Sequence, residues 1–240
     1  MILCIDCGNT RLKWGLRSGS GWAFKGKLPT ADAATLRSCL PAAAPIERAI
    51  GCIVASAEVC AAIEAALPFT LTWIKARDTQ CGVTSRYDIP AQLGADRWAA
   101  LIGARGFHGS ACVVVSAGTA TTIDLLDAAG VFQGGLIMPG LDLMCTALAS
   151  NTARLPHAPG RYRPVPRSTQ DAITSGAICA TLGAIERMFS SIAHEPGALC
   201  ILSGGSAETL SNEIALPHLR IDNLALEGLA RIANQMDHAG

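Results

Sequence analysis

Two stretches of this chain carry one pattern. Ile5-Asp6-Cys7-Gly8-Asn9 closes an apolar run with a glycine-bearing turn, and Val115-Ser116-Ala117-Gly118-Thr119 does the same 110 residues later. Around each, hydrophobic periodicity predicts the same succession of elements. The first cycle reads as strands over Ile2–Ile5, Arg11–Leu16 and Trp22–Phe24, then a helix from Thr30 or Asp32 to Leu40. A strand at Ala49–Ala55, a helix at Glu58–Leu67, a strand at Phe69–Ile74 and a helix over Gln92–Gly106 follow. The second reads as strands at Ala111–Val115, Ile123–Leu126 and Val131–Ile137, then a helix opened by Pro139-Gly140 and reaching Ala149. The Pro- and Arg-rich segment Asn151–Arg167 reads as a loop. A helix from Thr169 to Ile192, a strand at Leu199–Leu202, a short helix from Ala207, a strand at Leu219–Ile221 and a helix at Leu224–Met236 complete it. A β-β-β-α-β-α-β-α order used twice predicts a duplicated α/β fold. Its halves are expected at 1–108 and 109–240.

Composition narrows the partners. Half of the residues are hydrophobic and 16% are charged, which excludes a disordered chain. Nineteen basic residues balance nineteen acidic ones. No cationic excess exists to neutralise a row of phosphates, which argues against nucleic acid as a partner. The longest uncharged run, Gly106–Ile123, is broken by glycine, hydroxyl residues and a histidine, so no membrane span is expected. The opening Met1-Ile2-Leu3-Cys4 has no basic leader before Asp6, and a cytoplasmic protein is expected. Ten scattered cysteines, among them Cys52, Cys112, Cys179 and Cys200 in apolar runs, read as reduced core thiols. Cys4 and Cys7 share a strand and point opposite ways, which is unsuited to zinc. Trp14 and Trp98 read as core packing.

The two turns carry the chemistry. In Asp6-Cys7-Gly8-Asn9-Thr10 the glycine permits a tight turn whose backbone N–H groups can surround an anion. Asn9 and Thr10 add donors, Lys13 adds charge, and Asp6 can orient a hydrated Mg²⁺. The alternative is an ordinary hairpin with a capping Asp. Gly118-Thr119-Ala120-Thr121-Thr122 offers hydroxyls for phosphate oxygens, or is a Thr-rich edge strand. Gly204-Gly205 forms a third glycine turn. Neither a P-loop nor a dinucleotide-binding glycine fingerprint occurs. In Gly94-Ala95-Asp96-Arg97 an Asp beside an Arg at a helix start offers a base and an anion clamp, or a surface pair of little worth.

Taken in order, DxGNT at Asp6–Thr10, YxxPxxLGADR at Tyr87–Arg97, GTATTxD at Gly118–Asp124, GGxIxPGxxxM at Gly134–Met144 and Ser203-Gly204-Gly205 resemble type III pantothenate kinases. That resemblance covers almost the whole chain. It implies the two-lobed actin-like (ribonuclease H-like) ATPase fold, with ATP and Mg²⁺ held by the two phosphate turns. The implied reaction is phosphorylation of pantothenate to 4′-phosphopantothenate, the first step of coenzyme A synthesis. It assigns Asp96 as catalytic base. It gives Asp6, Gly8, Asn9, Thr10, Lys13, Gly118, Thr119, Thr121, Gly204 and Gly205 to nucleotide and metal. It gives Tyr87, Gly94, Ala95, Arg97 and Thr169 to pantothenate, with Arg97 on the carboxylate; a helix-capping Thr is the alternative for Thr169. A homodimer is implied, as is a monovalent cation such as K⁺ or NH₄⁺. The chain departs from the family at Ser116, where many members carry an Asp that helps bind that cation; Ser is neutral and holds it less well. Asp124 reads as support for its turn, and Arg154, His157, Arg161, Arg163 and Arg167 as a basic loop. Alternative functions are a non-catalytic regulatory protein on the same scaffold, or another small-molecule kinase of the superfamily.

Overall fold

The computed structural model describes residues 1–19, 21–152 and 160–237. It resolves into two α/β units, one formed by Met1–Gly109, Gly130–Phe132 and the chain from Asn223, the other by Ser110–Ala129 and Gln133–Asp222. The last helix therefore belongs with the N-terminal unit, not with the segment that precedes it.

In the first unit β1 (Ile2–Cys7), β2 (Arg11–Ser18) and β3 (Gly21–Pro29) form an antiparallel meander. A 3₁₀ segment at Thr30–Thr35 and the single turn α1 (Leu36–Cys39) follow, in place of the continuous helix expected there. Asp32 departs from helical angles inside that stretch, breaking it. β4 (Arg48–Ile53), α2 (Ala57–Ala66) and β5 (Leu71–Trp73) extend the sheet, whose order is β3-β2-β1-β4-β5. Two short strands, β6 (Thr79–Gln80) and β7 (Val83–Ser85), were not anticipated. They pair through a turn with Cys81 and Gly82 at positive φ, and two and three residues are too few for a period-2 signal. A 3₁₀ turn at Pro90–Gln92 precedes α3 (Ala95–Phe107), so the helix starts three residues later than the pattern suggested.

The second unit repeats the plan with β8 (Cys112–Ala117), β9 (Ala120–Leu126) and β10 (Val131–Pro139), of which Val131 and Phe132 pair with β7 in the first unit. Then come α4 (Leu141–Asn151), α5 (Thr169–Phe189), β11 (Leu199–Ser203), α6 (Ala207–Ser211) and β12 (His218–Arg220). The strand order β10-β9-β8-β11-β12 matches β3-β2-β1-β4-β5 position for position. In both, the first strand is central, antiparallel to the second and parallel to the fourth.

Each sheet has its own core. Leu3, Ile5, Cys7, Leu12, Trp14 and Leu16 pack with Leu36 and Ile63 in the first. Val113, Val115, Ile123 and Leu202 pack against Ile178, Leu182 and Ile185 of α5 in the second. Trp14 and Trp98 are both buried, as read, whereas Cys179 lies exposed on α5. α7 (Leu224–Asp237) returns to the first unit and crosses α3 at two glycines. A Cβ on Gly103 would collide with the Leu224 carbonyl, and one on Gly228 with the Ala99 carbonyl. Side chains at this crossing would hold the helices apart, and small residues let the backbones touch. Arg154 and His157 of the expected basic loop lie outside the described residues. No helix among the described residues is long and apolar enough to cross a membrane.

Candidate active site

Strand register builds the first cluster. Asp6 pairs with Lys13 on β2 and with Cys52 on β4, so three side chains stand in a row on one face of the sheet. Lys13 Nζ lies 3.2 Å from Asp6 Oδ2, and the Cys52 thiol donates to Asp6 Oδ1 at 3.5 Å. Burial, with the charges of Asp6 and Asp96, pushes that thiol well above its ordinary range, so it is a proton donor and not a thiolate. Beyond Asp6 the turn is tied down from below. The Gly8 N–H donates to Arg11 O at 3.1 Å, and the Thr30 hydroxyl donates to Gly8 O at 2.7 Å. Asn9 and Thr10 are exposed at its tip.

Neither turn glycine is there for its backbone angles. Gly8 and Gly118 are absent from the positive-φ residues, which corrects the reading that the turns need glycine conformations. A Cβ at either would make only an ordinary contact, with Arg11 O at 3.5 Å or Ala120 O at 3.6 Å. The protein itself does not require glycine at these two places. What the missing side chain leaves is open backbone, over which an anion can approach the N–H groups.

α3 presents the second cluster of this unit. Asp96 and Arg97 sit in its first turn, after the N-cap Gly94. The Arg97 N–H donates to Asp96 Oδ1 at 2.8 Å, folding the carboxylate back over the helix start. Gly94 gives it room, because a Cβ there would stand 2.6 Å from Asp96 Oδ1. Burial raises the Asp96 carboxyl above its ordinary value; the Arg97 N–H opposes this, the Asp6 charge adds to the rise, and the Arg97 charge opposes it. Asp6 and Asp96 thus feel one another, and the Asp6 charge helps shift the Asp96 carboxyl upward, toward the range of a usable base. Arg97 is buried at 5% exposure. Its Nη1 donates to the Tyr87 hydroxyl at 3.0 Å, and its guanidinium lies 5.7 Å from the ring centres of both Tyr87 and Phe132. The two rings are 5.2 Å apart. Sequence reasoning found Tyr87 and Arg97 but missed Phe132, which lies far away in the chain and looks like any strand aromatic.

In the second unit three turns meet at the end of β8. A Cβ on Gly140, the N-cap of α4, would strike the Gly118 carbonyl, and the Gly140 N–H donates to Thr119 O at 2.9 Å. A Cβ on Gly204, at φ +101°, would strike the Ala117 carbonyl, and Ser206 donates its N–H to that carbonyl at 3.1 Å. Gly118 and Thr119 are exposed. Thr121 differs: it is fully buried on the side of β9 that faces the core, and its hydroxyl has no partner. The Thr122 hydroxyl is also buried without a partner. Orphaned hydroxyls at the root of an exposed turn are groups that an ordered water or a ligand oxygen would satisfy. Ser116 pairs with Thr122 on one side and with Ser203 on the other. Asp124 is buried in β9.

Thr169 is exposed at the first position of α5, whose cap is the Ser168 hydroxyl, accepting from the Asp171 N–H at 3.2 Å. The Arg161 N–H donates to Asp171 Oδ1 at 2.8 Å, and this bond lowers the Asp171 carboxyl.

A model of the type III pantothenate kinase family matches residues 2–191. A type III pantothenate kinase from Aromatoleum aromaticum is 55% identical over 98% of both chains. The chain belongs to the type III pantothenate kinase family. Solved structures extend the fold beyond that family. A Campylobacter jejuni protein described as a Baf family transcriptional activator superposes with a TM-score of 0.68 at 18% identity, covering 98% of this chain and 99% of its own. The activator of 2-hydroxyisocaproyl-CoA dehydratase from Clostridium difficile, solved with ADPNP, gives 0.54 at 11%, covering 99% and 96%. These likenesses bear on the fold alone and agree with the expected actin-like α/β fold. Family membership, not fold, separates a kinase from the other proteins built this way.

Proposed function

We infer that this chain transfers the γ-phosphoryl group of ATP to the primary hydroxyl of pantothenate, forming 4′-phosphopantothenate for coenzyme A synthesis. The carrying observation is that a chain 55% identical to a type III pantothenate kinase keeps a partly buried Asp96 with a raised carboxyl, within the field of Asp6. In the transfer the hydroxyl oxygen bonds to phosphorus, the bond to the leaving ADP oxygen breaks, and the hydroxyl proton passes to Asp96. Positioning and electrostatics do most of the work in such a transfer, so Asp96 orients the hydroxyl as well as accepting its proton. Arg97, whose guanidinium lies beside the Tyr87 and Phe132 rings and bonds the Tyr87 hydroxyl, is assigned to the pantothenate carboxylate. Gly94, whose missing side chain leaves room for the Asp96 carboxylate, Ala95 and Thr169 are assigned to pantothenate.

Nucleotide phosphates are assigned to the open backbones of Gly8-Asn9-Thr10 and Gly118-Thr119, with Lys13 as countercharge and Thr121 at the root of the second turn. Gly204-Gly205 takes the adenosine side. The donor set suits Mg²⁺, a hard ion usually held by one or two carboxylates, waters and phosphates. Lys13 donates to one Asp6 oxygen and Cys52 to the other, which leaves lone pairs for metal-bound water. Bound there, Mg²⁺ would neutralise charge developing on the phosphates.

Ser116 supplies no carboxylate, and the response to K⁺ or NH₄⁺ is accordingly weak in this reading. A homodimer is favoured by exposed apolar side chains on consecutive elements of the second unit: Leu136 and Ile137 on β10, Leu143 and Leu148 on α4. The protein works in the cytoplasm. ADP release by purified protein with ATP, Mg²⁺ and pantothenate, with K⁺, NH₄⁺ or neither, tests the whole reading. Pantothenate-dependent turnover is expected. A folded protein that binds ATP but never turns over would point instead to a regulatory scaffold.

A further inference from the structure

We propose that Cys52 is a positioning residue, whose thiol fixes the rotation of the Asp6 carboxylate so that the carboxylate faces the metal–nucleotide complex. The inference rests on the assignment of Asp6 to that complex. Three observations carry it. Cys52 is fully buried and in register with Asp6 across parallel strands. Its thiol donates to Asp6 Oδ1 at 3.5 Å, while Lys13 takes Oδ2 at 3.2 Å. The carboxylate is therefore gripped at both oxygens by donors on its two neighbouring strands.

The choice of donors has a chemical reason. The terminal torsion of Asp is broad and soft, so a carboxylate held at one oxygen alone still rotates. A second cation at Oδ1 would stop the rotation but would also neutralise the charge a divalent ion needs. A thiol is a weak, uncharged donor. It orients Asp6 and leaves the charge in place. Burial removes water that would otherwise compete for Oδ1.

A purely packing role predicts a different response to substitution, and an isosteric pair separates the two. Cys52→Thr keeps a hydroxyl donor and Cys52→Val replaces it with a methyl. If the donor matters, the Val variant loses about tenfold in kcat/KM for MgATP, the size of one hydrogen bond to a charged group, and the Thr variant retains most of it. The KM for pantothenate stays unchanged in both. If Cys52 only fills space, the two variants behave alike, or Val is the better, and the proposal fails. Cys52→Ser and Cys52→Ala repeat the comparison with smaller side chains should the β-branched pair destabilise the strand. A second readout needs no turnover: calorimetric affinity for a non-hydrolysable ATP analogue, measured with and without Mg²⁺. The Mg²⁺-dependent gain should shrink about tenfold in Cys52→Val and not in Cys52→Thr. Wild-type protein that shows this gain but does not phosphorylate pantothenate would refute the assigned reaction and leave the role of Cys52 standing. Equal gains in all variants would refute the role of Cys52 and leave the kinase untouched.

Discussion

Replacing Asp96 by Asn should remove the proton acceptor assigned above and little else. Asn is nearly isosteric, and its Oδ1 still accepts the Arg97 N–H, now at 2.8 Å, so the helix start keeps its geometry. Burial disfavours the ionised Asp96, and an amide relieves that cost, so the folded state should lose no stability. The kinetic loss is then that of the base alone. General bases contribute about 10²–10⁴ in rate, and phosphoryl transfer draws on the low end because so little proton transfer accompanies it. The expected fall in kcat is about 10²-fold, or about 2.7 kcal/mol of barrier. Coupled ADP release gives kcat and both KM values, and thermal melting gives Tm on the same samples. A kcat within threefold of wild type at unchanged Tm would remove Asp96 from the base role. A fall that tracked a collapsed Tm would show its role to be structural.

The pH profile offers an independent check. A base acts when ionised, and Asp96 is shifted upward, so activity should fall with acidification at a pH above the usual aspartate value of about 3.9. Asp96→Asn should abolish that limb. For stability the sign is opposite: a raised carboxyl favours the fold at low pH, and that contribution fades as pH rises from the ordinary aspartate value through the shifted one. Phe132→Leu keeps an apolar core but removes one of the two rings beside the Arg97 guanidinium. KM for pantothenate should rise about three- to tenfold with KM for ATP unchanged; equal shifts in both would argue against a role through Arg97. Lys13→Met should weaken MgATP binding while moving Tm little, because a partly exposed ion pair with Asp6 contributes under about 1 kcal/mol. Gly228→Ala forces a methyl into the Ala99 carbonyl and should cost about 2–3 kcal/mol, read as a lowered Tm.

Long elements with clear periods were legible in the sequence: α5, α7 and the central strands β1 and β8 fall within a few residues of their predicted places. The topology was readable because one β-β-β-α-β-α-β-α order recurs. The short pieces were not. β6 and β7 carry no period, and the 3₁₀ segment at Thr30–Thr35 keeps the apolar spacing of a helix without its angles. At the site, motifs named Asp6, Asp96 and Arg97 because their chemistry is local in sequence. Cys52 and Phe132 escaped because their meaning comes only from register: a cysteine in an apolar strand signals burial, and nothing local says that a carboxylate stands beside it.

The placement of α7 has a consequence for synthesis. The chain leaves the ribosome N-terminus first, yet the first unit is completed by α7, whose Leu226, Leu229, Ile232 and Ala233 are buried. Arg48 on β4 donates to the Ala233 carbonyl at 2.8 Å, tying the early sheet to a segment made much later. The second unit is encoded between these two parts and has all its strands in hand before α7 emerges. α3, which carries Asp96, must wait for its partner. A chain interrupted before α7 therefore has every strand of the second unit but leaves apolar surface of the first uncovered, a ready target for proteolysis. Synthesis of α7 is in this way a condition for settling the helix that carries Asp96.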